Sequence, residues 1–424
     1  MPMLEKSKII SNQLAKSSNR SIFFAQKNAH LFLSDGVKFV GQVPAWQNGS
    51  FGGDVVFNTG MTGYVESLTD PSYSNQILVF TYPMIGNYGV DLSSVESNKI
   101  QVSGVVVSSA SKTYSHKNAD HSFLGWLKSQ NIPIIMDVDT RAVTKHLRTR
   151  GSMMGAISDA KIDTSKLKPV INTPGNFKPK LYNTNHKKTI ILVDCGVKEN
   201  ILQSLLKLPC KIKKVPAGYD FTKETYDGVL LSNGPGDPTN YPSTIENVKK
   251  ALKIGKPIFG ICLGSQILGL AAGAKTYKLL FGHRGHNQPC IDDLSEKCYI
   301  TSQNHSYAID EKTLPSGWKV SFRNLNDNSV EGIAHKSKPY FSVQFHPEAC
   351  PGPTDTAWMF EKFYESTLNL RKIPISPGSP PERPIPVSSF GVATATPPSE
   401  NRTCSSLVDN PGEDEVLRKS SINT

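Results

Sequence analysis

The chain contains no run of about 18 apolar residues, so it holds no candidate for a membrane-crossing helix. None of its seven cysteines pairs with another at Cys-x-x-Cys spacing, and their number is odd. A disulfide framework or a cysteine-built zinc site is therefore not expected, and mostly free thiols in a reducing compartment are. In such a compartment the glycosylation pattern Asn304-His305-Ser306 has no consequence. No basic cluster is interleaved with stacking aromatics, and no RNA-binding motif occurs. The excess of 47 Lys and Arg over 36 Asp and Glu, a net charge of +11, is thus scattered surface charge rather than a footprint for nucleic acid or membrane. No ATP-binding pattern is present, and the glycine-rich stretches lack the lysine and spacing of a P-loop. A secretory apolar segment is also missing. The first twenty residues are basic and Ser-rich, with Lys6, Lys8, Lys16 and Arg20, in the manner of an organelle transit segment, but Glu5 and the absence of an amphipathic pattern argue against one. A cytoplasmic location is expected, with a mitochondrial one as the alternative.

What the chain does contain is 424 residues, enough for two or three domains. After an N-terminal extension (1–28), residues 29–171 read as a mixed β/α domain. Strands are expected at Asp54–Phe57, Gln76–Phe80 and Val105–Val107, and helices at Phe123–Lys128 and Arg141–Arg148. A polar, Pro- and Lys-rich stretch (172–188) reads as a linker. Residues 189–370 alternate strand and helix: Thr189–Val193, Lys198–Leu208, Gly228–Leu231, Thr244–Lys253, Pro257–Ile261, Gln266–Ala272. That rhythm predicts an α/β domain on an open, mostly parallel sheet, with its site at the carboxyl ends of the strands. From about residue 371 onward the composition turns Pro- and Ser-rich, as in a disordered tail or linker.

Three segments carry chemistry. In Ile258-Phe259-Gly260-Ile261-Cys262-Leu263-Gly264 an apolar strand runs through Gly-x-Cys-x-Gly into a helix. This is the cysteine form of a nucleophile elbow, whose glycines permit a turn that presents the sulfur at a helix N-terminus. The alternative is a buried structural cysteine. In Phe341-Ser342-Val343-Gln344-Phe345-His346-Pro347-Glu348, alternation predicts a half-buried strand followed by His346 and Glu348 on one side of an extended chain. That spacing suits a base and the carboxylate that orients it, although taken alone it suits a surface pair equally. In Leu231-Ser232-Asn233-Gly234-Pro235-Gly236-Asp237-Pro238 a glycine-rich loop follows a strand. It suits an oxyanion hole with the Leu263 N–H as second donor, or an ordinary tight turn.

In this order and spacing the three segments resemble the class I (triad) glutamine amidotransferases. The resemblance narrows to the carbamoyl-phosphate synthetase small (glutaminase) chain with Gly273–Tyr277, Phe281–Pro289 and Thr301–His305, and with Phe57–Tyr64, Thr69–Tyr73, Tyr82–Asn87 and Val138–Arg141 in the first domain. It implies a flavodoxin-like amidotransferase domain preceded by the small-chain N-terminal domain. It implies a nucleophile, Cys262, that forms a glutamyl thioester, with His346 moving protons and Glu348 orienting His346. Glutamine would be held by Ser72, Gly234, Gly236, Leu263, Gln266, Asn304, Ser306 and Tyr307. No metal or cofactor is implied in this chain. Ammonia would pass through a tunnel to a synthetase, as a separate large chain or a fused domain, which would use ATP with Mg2+ or K+ and bicarbonate to make carbamoyl phosphate, for pyrimidine or arginine synthesis. Two positions depart from the family pattern: Ser265 replaces the usual histidine and is expected to cap the helix, and Ser306 replaces the usual glycine. A different amidotransferase and a catalytically silent scaffold of a synthetase are the competing readings. The first domain argues against the former, and retention of Cys262, His346 and Glu348 argues against the latter.

Overall fold

The computed structural model describes residues 26–168 and 175–368. The expected extension and tail lie almost wholly outside these residues. Two sheets organise the chain. The first runs Lys38–Pro44, Gln26–Leu33, Met153–Ser158, Ser50–Asn58, Gln76–Phe80, Gly104–Val106, Ile134–Ile135. Its last four strands are parallel, and the others pair antiparallel. Helices Phe123–Ser129 and Thr140–Arg150 stand where the apolar spacing placed them. Each is capped at its N-terminus by a side chain, Ser122 and Asp139 respectively.

The second sheet has five parallel strands at its centre: Lys211–Pro216, Thr189–Asp194, Gly228–Leu231, Ile258–Ile261 and Tyr340–Val343. In Thr189–Asp194, Gly228–Leu231 and Ile258–Ile261 the side chains alternate between two buried faces, which is why these strands read as apolar runs, whereas Lys211–Pro216 carries three lysines. Ile190, Leu192, Leu230, Phe259 and Phe341 pack on one side with helices Glu199–Leu206 and Met359–Leu368. Ile191, Val193, Val229, Leu231 and Ile258 pack on the other with helices Pro242–Ile254 and Leu263–Ala272. This is the doubly wound arrangement that the alternation predicted.

One expectation is corrected, and two elements are added to the sequence reading. The strand leading to His346 is buried on both faces rather than half-buried, because it lies inside the sheet between Ile258–Ile261 and Val330–His335. The stretch read as a linker contributes an edge strand, Lys180–Tyr182, antiparallel to Lys211–Pro216. The parallel centre continues into an antiparallel wing, Val330–His335, Cys298–Asp310, Lys275–Asp292 and Trp318–Asn324, which the strand–helix rhythm did not reveal. Its long hairpin carries Arg284, Asn304, Ser306 and Tyr307, and it meets the first domain. Thr59 N donates to Arg284 O at 3.2 Å, Ser152 N to Leu280 O at 3.0 Å, and Phe57 stacks on Phe281.

No helix among the described residues is long and apolar enough to cross a membrane. Cys195, Cys210, Cys262, Cys290 and Cys350 are free thiols, and Cys298 is disulfide-bonded.

Candidate active site

The strand Ile258–Ile261 ends at Cys262, and helix Leu263–Ala272 begins at the next residue. Cys262 has φ 54° and ψ −107°, a conformation that non-glycine residues seldom adopt and that persists only where the surroundings enforce it. Its N–H is tied to Val343 O at 2.9 Å, and the helix packs close beneath the turn. A Cβ added at Gly264 would stand 2.2 Å from Leu231 O, so only glycine lets the helix approach the neighbouring strand. The thiol is 2% exposed and donates to Asn304 O at 3.5 Å.

His346 follows the adjacent parallel strand and is anchored by its own N–H to Ser302 O at 2.9 Å. Its ring donates from Nδ1 to Glu348 Oε1 at 2.6 Å, leaving Nε2 buried and without a hydrogen bond beside the Cys262 sulfur. Burial alone would lower the imidazole pKa. The Glu348 carboxylate and the Cys262 sulfur outweigh it and raise the pKa to about 10. Burial likewise opposes ionisation of Glu348, but Lys198 and His346 hold its pKa at about 2. The ring therefore has one nitrogen fixed by an anion and the other available for proton exchange.

Lys198 carries no sequence signal of a role in the site. It sits in the strand-to-helix turn after Thr189–Asp194, 3% exposed, with Nζ 3.0 Å from Glu348 Oε1, 3.5 Å from Glu96 Oε1 and 2.7 Å from Ala349 O. Glu96 belongs to the first domain. Its carboxylate also accepts from Asn200 N and Nδ2, both at 3.0 Å, at the start of helix Glu199–Leu206. One buried ammonium thus joins the first domain to the Glu348 carboxylate.

A cavity of about 390 Å³ opens above Cys262 between the two domains. Its lining includes Cys262 and all eight residues expected to contact glutamine: Ser72, Gly234, Gly236, Leu263, Gln266, Asn304, Ser306 and Tyr307. His346 and Glu348 stand outside this lining, 2% and 6% exposed. Hydrogen bonds fix the polar walls. Asp70 accepts from Ser72 N and from Asn304 Nδ2, both at 2.9 Å, so an acid of the first domain positions groups from both domains. Asn233 Nδ2 donates to Ser72 Oγ at 2.9 Å, and Gln266 Nε2 to Tyr307 O at 2.9 Å. Gly236 has φ +85°, which leaves the loop backbone turned along the cavity rim without a side chain. Ser265 does not cap the helix. Its Oγ lies 2.8 Å from Ser342 Oγ, and that contact pins the helix to the strand leading to His346.

At the edge of the cavity, whose lining includes His305, the residues His283, His305 and Glu331 bring ligand-type atoms within 4.8 Å of one another. Glu331 Oε1 lies 3.3 Å from His283 Nδ1 and 3.5 Å from His305 Nε2, so the group is internally paired, with both histidines on the hairpin itself.

Residues 31–157 match the model of the carbamoyl-phosphate synthase small chain, CPSase domain, and residues 191–366 match that of glutamine amidotransferase class-I. The carbamoyl phosphate synthase arginine-specific small chain of Neurospora crassa is 46% identical over 351 residues, covering 76% of this chain and 78% of that protein. The multifunctional protein pyr1-3 of Dictyostelium discoideum is 44% identical over 377 residues, covering 80% of this chain but 17% of that protein. The mitochondrial carbamoyl-phosphate synthase [ammonia] of Homo sapiens is 43% identical over 354 residues, covering 80% and 24%. The chain thus spans about a sixth of the multifunctional relative and most of the small chain. With both domain models matched in order and this identity to a small chain over most of its length, the chain belongs to the carbamoyl-phosphate synthase small-chain family.

Proposed function

We propose that the chain hydrolyses glutamine and delivers the ammonia to a carbamoyl-phosphate synthetase, either a separate large chain or a domain of the same polypeptide. One observation carries this reading: a single cavity gathers Cys262 and every expected glutamine contact from two domains, with a polarised His–Glu pair beside the sulfur.

The Cys262 sulfur transfers its proton to His346 and attacks the side-chain amide carbon. The resulting oxyanion is received by backbone N–H groups of the Gly234–Gly236 loop and Leu263. His346 returns the proton to the leaving nitrogen, the C–N bond breaks, and ammonia departs from a glutamyl thioester. A water then gives its proton to His346, attacks the thioester carbonyl, and releases glutamate and the thiol. Glu348 holds the imidazolium through Nδ1 at both stages, and Lys198 keeps Glu348 ionised. ATP, with Mg2+ or K+, and bicarbonate belong to the synthetase.

Ammonia release from glutamine, measured with and without a synthetase partner, tests the proposal. Cys262→Ser should abolish glutamine-dependent carbamoyl phosphate formation and leave the ammonia-dependent reaction intact. A wild-type chain that binds the synthetase and hydrolyses no glutamine would make it a silent scaffold instead.

A further inference from the structure

Arg284 has no assigned role, yet its position is unusual. It lies on the strand Lys275–Asp292, 3% exposed, and lines the same cavity as Cys262. Nη1 donates to Phe281 O at 2.7 Å and Nη2 donates to Ser306 Oγ, both neutral acceptors, while Nε has no partner. Among the described residues no carboxylate stands within ion-pair distance of it, in contrast to Arg323, which is paired with Asp293 and Glu311. Asp54 on the cavity wall attracts Arg284 only from beyond that distance, so the buried guanidinium is incompletely compensated in the empty site, and a ligand carboxylate in the cavity would relieve it.

The cavity's other charged groups sharpen the choice of ligand. Half-buried Asp54 and Asp237 and the exposed Lys278 also line it. Lys278 is solvated, so its attraction for an anion is screened. The two carboxylates repel an anion and suit an ammonium. Such a wall, with one desolvated cation and separate acids, fits a zwitterionic amino acid rather than a simple amide.

We propose that Arg284 receives the α-carboxylate of the amino-acid substrate, and that Ser306 holds the guanidinium in place for it. This rests on the reading of the cavity as a glutamine site. It also gives Ser306, the departure from the family glycine, a defined task. Arg284 is then the group that makes the site select free glutamine over amides lacking a carboxylate.

The test compares hydrolysis of L-glutamine with that of its α-amide, in which the carboxylate is replaced by a neutral carboxamide. In the wild-type chain the ratio of kcat/KM should strongly favour glutamine. Arg284→Gln should raise KM for glutamine roughly 10–100-fold with little change in kcat, as expected for loss of a charged hydrogen bond. It should leave the α-amide nearly unaffected, so that the ratio falls toward one. Ser306→Ala should move the ratio the same way by a smaller factor, and it decides the matter if Arg284→Gln does not fold. Equal losses for both substrates, as would follow if Arg284 served the Cys262 sulfur or the fold, would overturn the proposal, as would an unchanged ratio in both variants. A wild-type chain inert toward glutamine would instead overturn the underlying glutaminase reading.

Discussion

Replacing Lys198 with Met removes the cation shared by Glu348 and Glu96 while keeping most of the side-chain volume. At the 3.0 Å separation from Glu348 and an effective dielectric constant of ~20, the lost attraction is about 5.5 kcal/mol. That corresponds to about 4 pKa units. Glu348, now held at about 2, would titrate near ~6 in the variant, because only His346 and a backbone hydrogen bond then offset its burial. Only the ionised carboxylate stabilises the imidazolium form of His346. The kcat/KM profile for glutamine should therefore gain an acid limb near ~pH 6 that the wild type lacks above ~pH 4. Breaking a buried pair should also destabilise the chain by about 3–5 kcal/mol, so denaturant unfolding must accompany the kinetics. Lys198→Arg, which keeps the charge, should restore most of the wild-type profile. The reasoning is refuted if Lys198→Met folds and shows a wild-type pH profile, or if it loses activity uniformly at every pH.

Other consequences follow from the same geometry. Glu348→Gln removes the anion that raises His346 to about 10, so the imidazolium should be lost at lower pH. The basic limb of kcat/KM should move downward, with kcat reduced roughly 10²–10⁴-fold; a basic limb left in place would show that Glu348 does not set the imidazole pKa. Gly264→Ala puts a methyl 2.2 Å from Leu231 O, so the elbow must shift. A stability loss of at least about 2 kcal/mol and loss of glutaminase activity are expected, and thermal unfolding with unchanged Tm would contradict the close approach described.

The parts legible in the sequence were those set by local pattern. Thr189–Asp194, Gly228–Leu231 and Ile258–Ile261 are legible as apolar runs because both faces of the sheet are covered there, whereas the lysines of Lys211–Pro216 hide that strand. The Gly-x-Cys-x-Gly elbow was legible because its backbone has few alternatives. The spacing of His346 and Glu348 marks the pair but not the full burial of their strand, since alternation in five residues cannot show that a polar side chain such as Ser342 or Gln344 is itself packed inside. The long hairpin was missed because its polar residues line a cavity and a domain contact rather than alternating between core and water. Lys198 and Glu96 were invisible for a different reason. Their pairing spans about a hundred positions and two domains, and a lone lysine in a turn reads as solvated. The same holds for Arg284, whose meaning lies in the anion it does not have.

The central claim is that Cys262 forms a covalent glutamyl intermediate in this cavity. Acid quenching during glutamine turnover, followed by mass spectrometry of the peptide containing Cys262, measures it directly. The account predicts a mass increase of one glutamyl group on that peptide, absent from Cys262→Ser. Continued hydrolysis with no adduct, or an adduct on another residue, would contradict it.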